Sequence, residues 1–179
     1  MFHVSEPFHE APAACATELQ RAVYAALAEL GIPFERTETD EAVTMGDCAA
    51  IEEKMRMRMV KTLFLCDRKK EHFYLFVTRG DKPFHAAAFS RALNVSRVSF
   101  APVPLMESML GTKVGAATVF SALLDREGLV SIVLDREVCA EPWYGCSDGT
   151  TTNYLKLATA DMLERLLPAT GHEARIIEA

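Results

Sequence analysis

Two short apolar runs constrain this chain more than any other feature. Val60-Lys-Thr-Leu-Phe-Leu-Cys66 and Phe73-Tyr-Leu-Phe-Val77 have strand length and strand composition, and Arg68, Lys69 and Lys70 lie between them. Together they predict a β-hairpin with a basic turn. Val130–Asp135 reads as a buried strand, and Phe34–Thr39, Arg97–Phe100, Thr152–Leu157 and Ala174–Ile177 as further short ones. Between Thr17 and Leu30, Leu19, Val23, Ala26, Leu27 and Leu30 share a helical face that Gly31 and Pro33 bring to an end. A second helix is expected from caps in Thr44–Asp47 through Met55, and a third from Asp81 to Leu93. A short helix begins at Pro102 and Pro104 and stops near Leu110-Gly111, and a last one is capped by Thr159 and runs through Leu167. Val119–Leu124 fits either a helix or a strand. Interleaved but not strictly alternating elements predict an α/β fold of α+β mixed type, a mixed sheet with helices packed on it. One domain is expected over residues 15–179, with residues 1–14 as a loosely held arm.

No apolar run approaches the ~18–20 residues that cross a bilayer. The first residues lack the basic start and apolar stretch of a secretion signal, so none is expected. Five cysteines at 15, 48, 66, 139 and 146 form no CxxC pair, which speaks against a disulfide framework and for a reducing cytoplasm. Five scattered histidines give no metal-ligand spacing, and the chain has no P-loop, dinucleotide fingerprint, GxSxG or HExxH. Neither a metal nor a cofactor is expected.

The net charge of −6 is unevenly spread: −9 over residues 1–53, +8 over 54–97 and −5 over 98–179. The central block holds Lys54, Arg56, Arg58, Lys61, Arg68, Lys69, Lys70, Arg79, Lys82, Arg91 and Arg97. Such a block either guides a polyanion to one face or is a set of solvated loops. Met55, Met57 and Met59, alternating with arginines, fit an adaptable pocket or a filled core edge.

Lys61 occupies the second position of an otherwise apolar strand, where period two puts it on the face of Leu63 and Leu65. A lysine there either snorkels past the strand end or points into a polar cleft. Tyr144-Gly-Cys-Ser-Asp-Gly-Thr-Thr-Thr-Asn153 is a stretch of small, hydroxylated residues before a strand. It reads as a glycine-rich turn or as a loop that surrounds a polar ligand. Cys146 has no histidine near it in sequence to act as a base, which leaves a thiol-dependent hydrolase or redox protein as a third-ranked reading.

Val60-Lys-Thr-Leu-Phe-Leu-Cys-Asp67 resembles the lysine-bearing strand of the YbaK/prolyl-tRNA-synthetase-associated domain family, and the freestanding prolyl-tRNA editing proteins within it. Leu30-Gly-Ile-Pro-Phe34, Thr44-Met-Gly-Asp-Cys48, Gly80-Asp-Lys82, Ser96-Arg-Val-Ser-Phe100, Leu110-Gly111 with Gly115, Val133-Leu-Asp135, Gly145-Cys146, Leu155-Lys-Leu157 and Gly171-His172 follow in family order. The resemblance covers residues 17–178. It implies a curved mixed sheet flanked by helices, and hydrolysis of the ester that joins a wrong amino acid to a tRNA 3′ end, here most closely Ala-tRNA(Pro). Lys61 takes the place of the family's catalytic lysine. The substrate-binding positions fall on Thr62, Gly111, Gly115, Ala116, Gly145, Cys146, Ser147, Asp148, Thr151 and Thr152. Arg56, Arg58, Arg68, Lys69, Lys70 and Lys82 are the expected tRNA contacts, with a mischarged tRNA as partner and prolyl-tRNA synthetase as a second candidate partner.

Three positions depart from the family pattern. Thr62 replaces an asparagine, the glycine loop near Val114 lacks a proline, and Gly145-Cys-Ser-Asp148 stands where relatives read Gly-Cys-His-Pro, with Thr151-Thr152 for Asn-Thr. These departures leave a second reading, a regulatory tRNA- or amino-acid-binding module that has lost activity. The chemistry itself needs no protein nucleophile. An aminoacyl ester is labile, so a site need only hold the carbonyl, orient water and stabilise developing negative charge.

Overall fold

In the computed structural model, which describes residues 1–42 and 44–179, the hairpin organises the molecule. Strand β2 (Val60–Asp67) pairs antiparallel with β3 (Phe73–Arg79), Lys61 opposite Thr78 and Leu65 opposite Tyr74. The other strands are β1 (Phe34–Glu38), β4 (Val98–Phe100), β5 (Val130–Asp135), β6 (Trp143–Ser147), β7 (Asn153–Ala158) and β8 (Arg175–Ile177). They form two sheets where one was expected. A five-stranded mixed sheet has the order β4-β2-β3-β5-β8, with β5 parallel to both its neighbours. A three-stranded antiparallel sheet has the order β1-β7-β6. A parallel bridge between Met59 and Gly145 joins them.

Alternation divides the larger sheet into two faces. Leu65, Tyr74, Phe76 and Val133 pack on Phe89 and Leu93 of α3 (Ala86–Leu93). Phe64, Leu75, Val77, Ile132 and Leu134 build the main core with Leu19, Val23 and Leu27 of α1 (Glu18–Glu29) and with Tyr144, Cys146 and Leu155 of the smaller sheet. A third cluster holds Ile51 and Met55 of α2 (Met45–Met55) with Met57, Met59 and Tyr154. The methionines are therefore core, and Arg56 and Arg58 between them point outward.

Local chemistry explains the helix ends. The Thr17 hydroxyl accepts from the Gln20 amide, and Thr44 and Asp47 form a reciprocal capping box. Asp81 does not cap α3. Its carboxylate is engaged by the Arg79 guanidinium, at 3.0 and 2.7 Å, and α3 starts only after His85. Thr159 is the first residue of α6 (Thr159–Asp161), with Ala158 as its cap. Before it, α4 (Val103–Leu105) runs into a π-turn, Met106–Leu110. The ambiguous segment is a 3-10 helix, Val119–Leu123, and a five-residue α5 (Arg136–Ala140) follows β5. The arm is tied along β1 rather than loosely held: Phe8 and Arg36 exchange both backbone hydrogen bonds, and the Arg36 guanidinium lies 4.6 Å from the Phe8 ring centre. Among the described residues no helix is long and apolar enough to cross a membrane.

Asp67 closes the β2–β3 turn. It accepts from the Glu71 and His72 amides, and its other oxygen lies 3.0 Å from His72 Nδ1. The His72 hydrogen bond chiefly, aided by the two amides, lowers its pKa to about 2. A depressed carboxylate contributes stability above its unfolded pKa, and that contribution disappears as pH falls toward 2. Asp67→Asn is accordingly expected to melt with a shallower pH dependence than the parent between pH 4 and 2, in thermal scans across that window.

Candidate functional site

Two turns that lie far apart in sequence meet in space. After the π-turn the chain passes Gly111 into the 111–118 loop, and β6 turns into β7 through 148–152. The Thr112 hydroxyl lies 3.1 Å from the Gly149 carbonyl and 3.2 Å from that of Ala116. A Cβ on Gly115 would sit 3.8 Å from the Thr151 methyl. With Thr17 and Glu18 at the start of α1, these turns line a cavity of about 670 Å³ that includes Gly111, Thr112, Lys113, Thr151, Thr152, Glu41 and Glu107. Glu41 spans its edge, 3.2 Å from Thr151 Oγ1 and 3.5 Å from Lys113 Nζ.

Of the expected substrate-binding residues, Gly111, Thr151 and Thr152 line this cavity, and Gly115 adjoins it. Others are packed rather than presented. Ala116 and Asp148 are wholly buried and Cys146 nearly so. Asp148 accepts from Gln20 Nε2 at 2.8 Å, the Tyr24 hydroxyl at 2.7 Å, and the amide and hydroxyl of Thr150. Ser147 Oγ donates to the Thr150 carbonyl at 2.5 Å and accepts from the Gly149 amide, so it closes the turn. Gly149, at φ +97°, has Leu19 where a side chain would start. Gly145 answers a different need, since a Cβ there would lie 2.8 Å from the Arg58 carbonyl and 2.7 Å from the Met57 sulfur. That close approach permits the bridge between the sheets.

Burial pushes the Cys146 thiol well above its ordinary pKa, against a hydrogen bond with Thr118 that works the other way. A thiol held protonated inside the core is no nucleophile. Native protein treated with iodoacetamide is expected to show Cys146 unmodified by peptide mass spectrometry, with modification only after unfolding.

Lys61 does not line the cavity between the glycine turns. It is half-buried on the α3 face of β2, and its ammonium donates to the backbone carbonyl of Lys82. Thr62 takes the other face, opposite Val77. The Met59–Gly145 bridge is parallel, so Lys61 and Ser147 each stand two residues beyond the same joint on strands that leave it in one direction.

The expected tRNA contacts separate into two groups. Lys82 is committed to Asp135 at 2.7 Å and Glu137 at 3.2 Å. Burial works against its charge, yet these hydrogen bonds carry its pKa above the ordinary lysine value. Arg58 faces Asp81 and Glu141 at 3.8 and 3.5 Å. Both are paired with acids, Lys82 through hydrogen bonds and Arg58 at longer range. Arg56 and the turn residues Arg68, Lys69 and Lys70 are exposed, and among the described residues they form no ion pair. That turn begins seven residues beyond Lys61, about 23 Å along the strand. Sequence reasoning missed Glu41 and Glu107 at the cavity, Thr78 opposite Lys61, and Asp135 behind Thr78 and Lys82. For Asp135 a signal was present: an acid closing an apolar strand.

The sequence profile of the aminoacyl-tRNA editing domain matches residues 39–164. Prolyl-tRNA editing protein ProX of Acetoanaerobium sticklandii is 26% identical over 161 residues, covering 90% of this chain and 98% of its own. Prolyl-tRNA synthetase associated domain-containing protein 1 of Danio rerio is 31% identical over 121 residues, 66% of this chain and 65% of its own. Among solved structures, one described as a candidate trans-editing enzyme for prolyl tRNA synthetase superposes with a TM-score of 0.64 at 17% identity, over 92% of this chain and 99% of the other. A hypothetical protein superposes with 0.65 at 18% identity, over 87% and 98%. At those identities the structures establish a shared fold.

Proposed function

Since the chain belongs to the aminoacyl-tRNA editing domain family, we propose that it is a trans-acting deacylase that hydrolyses the ester of a mischarged small amino acid, with Ala-tRNA(Pro) as its substrate. The observation that carries this reading is the parallel joint between Met59 and Gly145, which brings the lysine-bearing strand beside the strand that leads into the second glycine turn. An ammonium group has three donors, and Lys61 spends one on the Lys82 carbonyl. Two remain for a phosphate oxygen of the terminal nucleotide or for the ester carbonyl as it becomes an oxyanion. Water adds to that carbonyl, the bond to the ribose oxygen breaks, and the proton returns to the leaving hydroxyl, with the neighbouring ribose hydroxyl as relay. Backbone amides around Gly115 hold the acyl group, since those of the second turn are taken up within it. Selection is by size, because rejecting a larger residue by clash is easier than rejecting a smaller one, where one methylene is worth only about 1–3 kcal/mol.

A deacylation panel tests this: Ala, Ser, Thr, Cys and Pro esters on tRNA(Pro), each followed by loss of the charged species. Fastest turnover of the alanyl ester with the prolyl ester spared is the expected result. Binding of these tRNAs without hydrolysis of any ester would favour the regulatory module, a reading that the commitment of Ser147 Oγ to its own turn supports.

A further inference from the structure

The Lys61 ammonium is not placed by its own strand alone. Its partner is the carbonyl of Lys82, in the turn that follows β3, and the residue opposite it in the sheet is Thr78. Both lead to one group. Thr78 Oγ1 donates to Asp135 Oδ2 at 2.8 Å, and Lys82 Nζ donates to the same oxygen at 2.7 Å. The second oxygen of Asp135 accepts from the Glu137 amide at 3.1 Å, capping α5. Asp135 is wholly buried, so its carboxylate is stable only while these donors face it. The turn is fixed at its other end by the Gly80 amide, 3.0 Å from the Met59 carbonyl, and by Lys82 N on the Arg79 carbonyl at 3.1 Å.

From this arrangement we infer that Asp135 and Lys82 are positioning residues for Lys61: the buried carboxylate anchors the Lys82 side chain, and the anchored residue presents the carbonyl that aims the Lys61 ammonium. The inference rests on the reading of Lys61 as the group that meets the substrate. Lys82 thereby changes role, from an expected tRNA contact to a brace. The neighbouring Arg79 is held by Asp81 and Glu137 and has no contact with Lys61 among those described, so the chain of effect runs through Lys82 alone.

A double-mutant cycle on alanyl-tRNA(Pro) hydrolysis, with thermal melting as the fold control, tests the inference. Lys82→Met is expected to lower kcat about fivefold with KM within about twofold of the parent, because a misaimed charge costs rate more than binding. Lys82→Arg, which keeps the ion pair, is expected to recover most of that loss. In a Lys61→Ala background Lys82→Met should cost nothing further, since both changes remove one effect. Asp135→Asn keeps one acceptor oxygen for the Glu137 amide and turns the other oxygen into an NH2 that the Thr78 hydroxyl can accept from, while removing the charge that holds Lys82; it serves as the second variant should Lys82→Met fail to fold. Losses that multiply in the double variant, or a Lys82→Met enzyme as fast as the parent while Lys61→Ala is impaired, would overturn the inference alone. A folded Lys61→Ala enzyme with parental turnover would overturn the reading beneath it, and the inference with it.

Discussion

Lys61→Ala is expected to slow hydrolysis of alanyl-tRNA(Pro) about tenfold or more, in single-turnover deacylation under saturating enzyme. A charge-assisted donor aimed at a developing oxyanion is commonly worth about 3 kcal/mol, and tenfold in rate is about 1.4 kcal/mol. The lower figure is used because the ammonium is half-exposed and partly engaged by the Lys82 carbonyl. Lys61→Met keeps the stem and loses the charge, and should behave like the alanine variant. Lys61→Arg is not expected to restore full rate, since a planar fork cannot take the place of a compact ammonium held by one carbonyl. All three should melt within a few degrees of the parent, as no buried charge loses its partner. Parental turnover in a folded alanine variant would remove Lys61 from the mechanism.

Asp148→Ala should produce the largest loss of stability, about 3–5 kcal/mol. Asp148 is wholly buried and gathers the Gln20 amide, the Tyr24 phenol, and the amide and hydroxyl of Thr150. Its removal strands donors from α1 in the interior, each costing about 1–3 kcal/mol when left without an acceptor. For a chain of this size 1 kcal/mol corresponds to about 2–4 °C, so the melting temperature should fall by about 10 °C. Tyr24 reports the same contact, since burial first and Asp148 second push its phenol far above the ordinary tyrosine pKa. A drop of less than about 2 °C would mean that the donors find other partners.

Elements whose cause is local were legible in the sequence. The β2–β3 hairpin, the Thr17 and Thr44 caps and β5 follow from short apolar runs and single capping side chains. The stretch that forms β6 reads as loop in the sequence because Gly145, Cys146 and Ser147 have little strand character. It forms because Gly145 lets the 57–59 segment approach, a tertiary reason that one stretch of sequence does not carry. Asp81 looked like a cap until Arg79, two residues away, claimed it. The basic block misled in the same way: the acids that neutralise Arg58, Arg79 and Lys82 include Asp135, Glu137 and Glu141, more than fifty residues downstream. At the site, small residues around Gly115 and Thr151 were legible as candidates. Their meeting, and the separation of Lys61 from the cavity they line, came from topology.

The seam at Met59 and Gly145 has a consequence for how such a chain can diversify. The lysine-bearing strand and the second glycine turn belong to different hydrogen-bonded sheets, so the gap between them is adjustable without unzipping either ladder. Met57 and Met59 are the wedges at that seam, unbranched and compliant. Exchanging a wedge for a shorter or stiffer side chain would reset that gap in one step and leave both ladders intact.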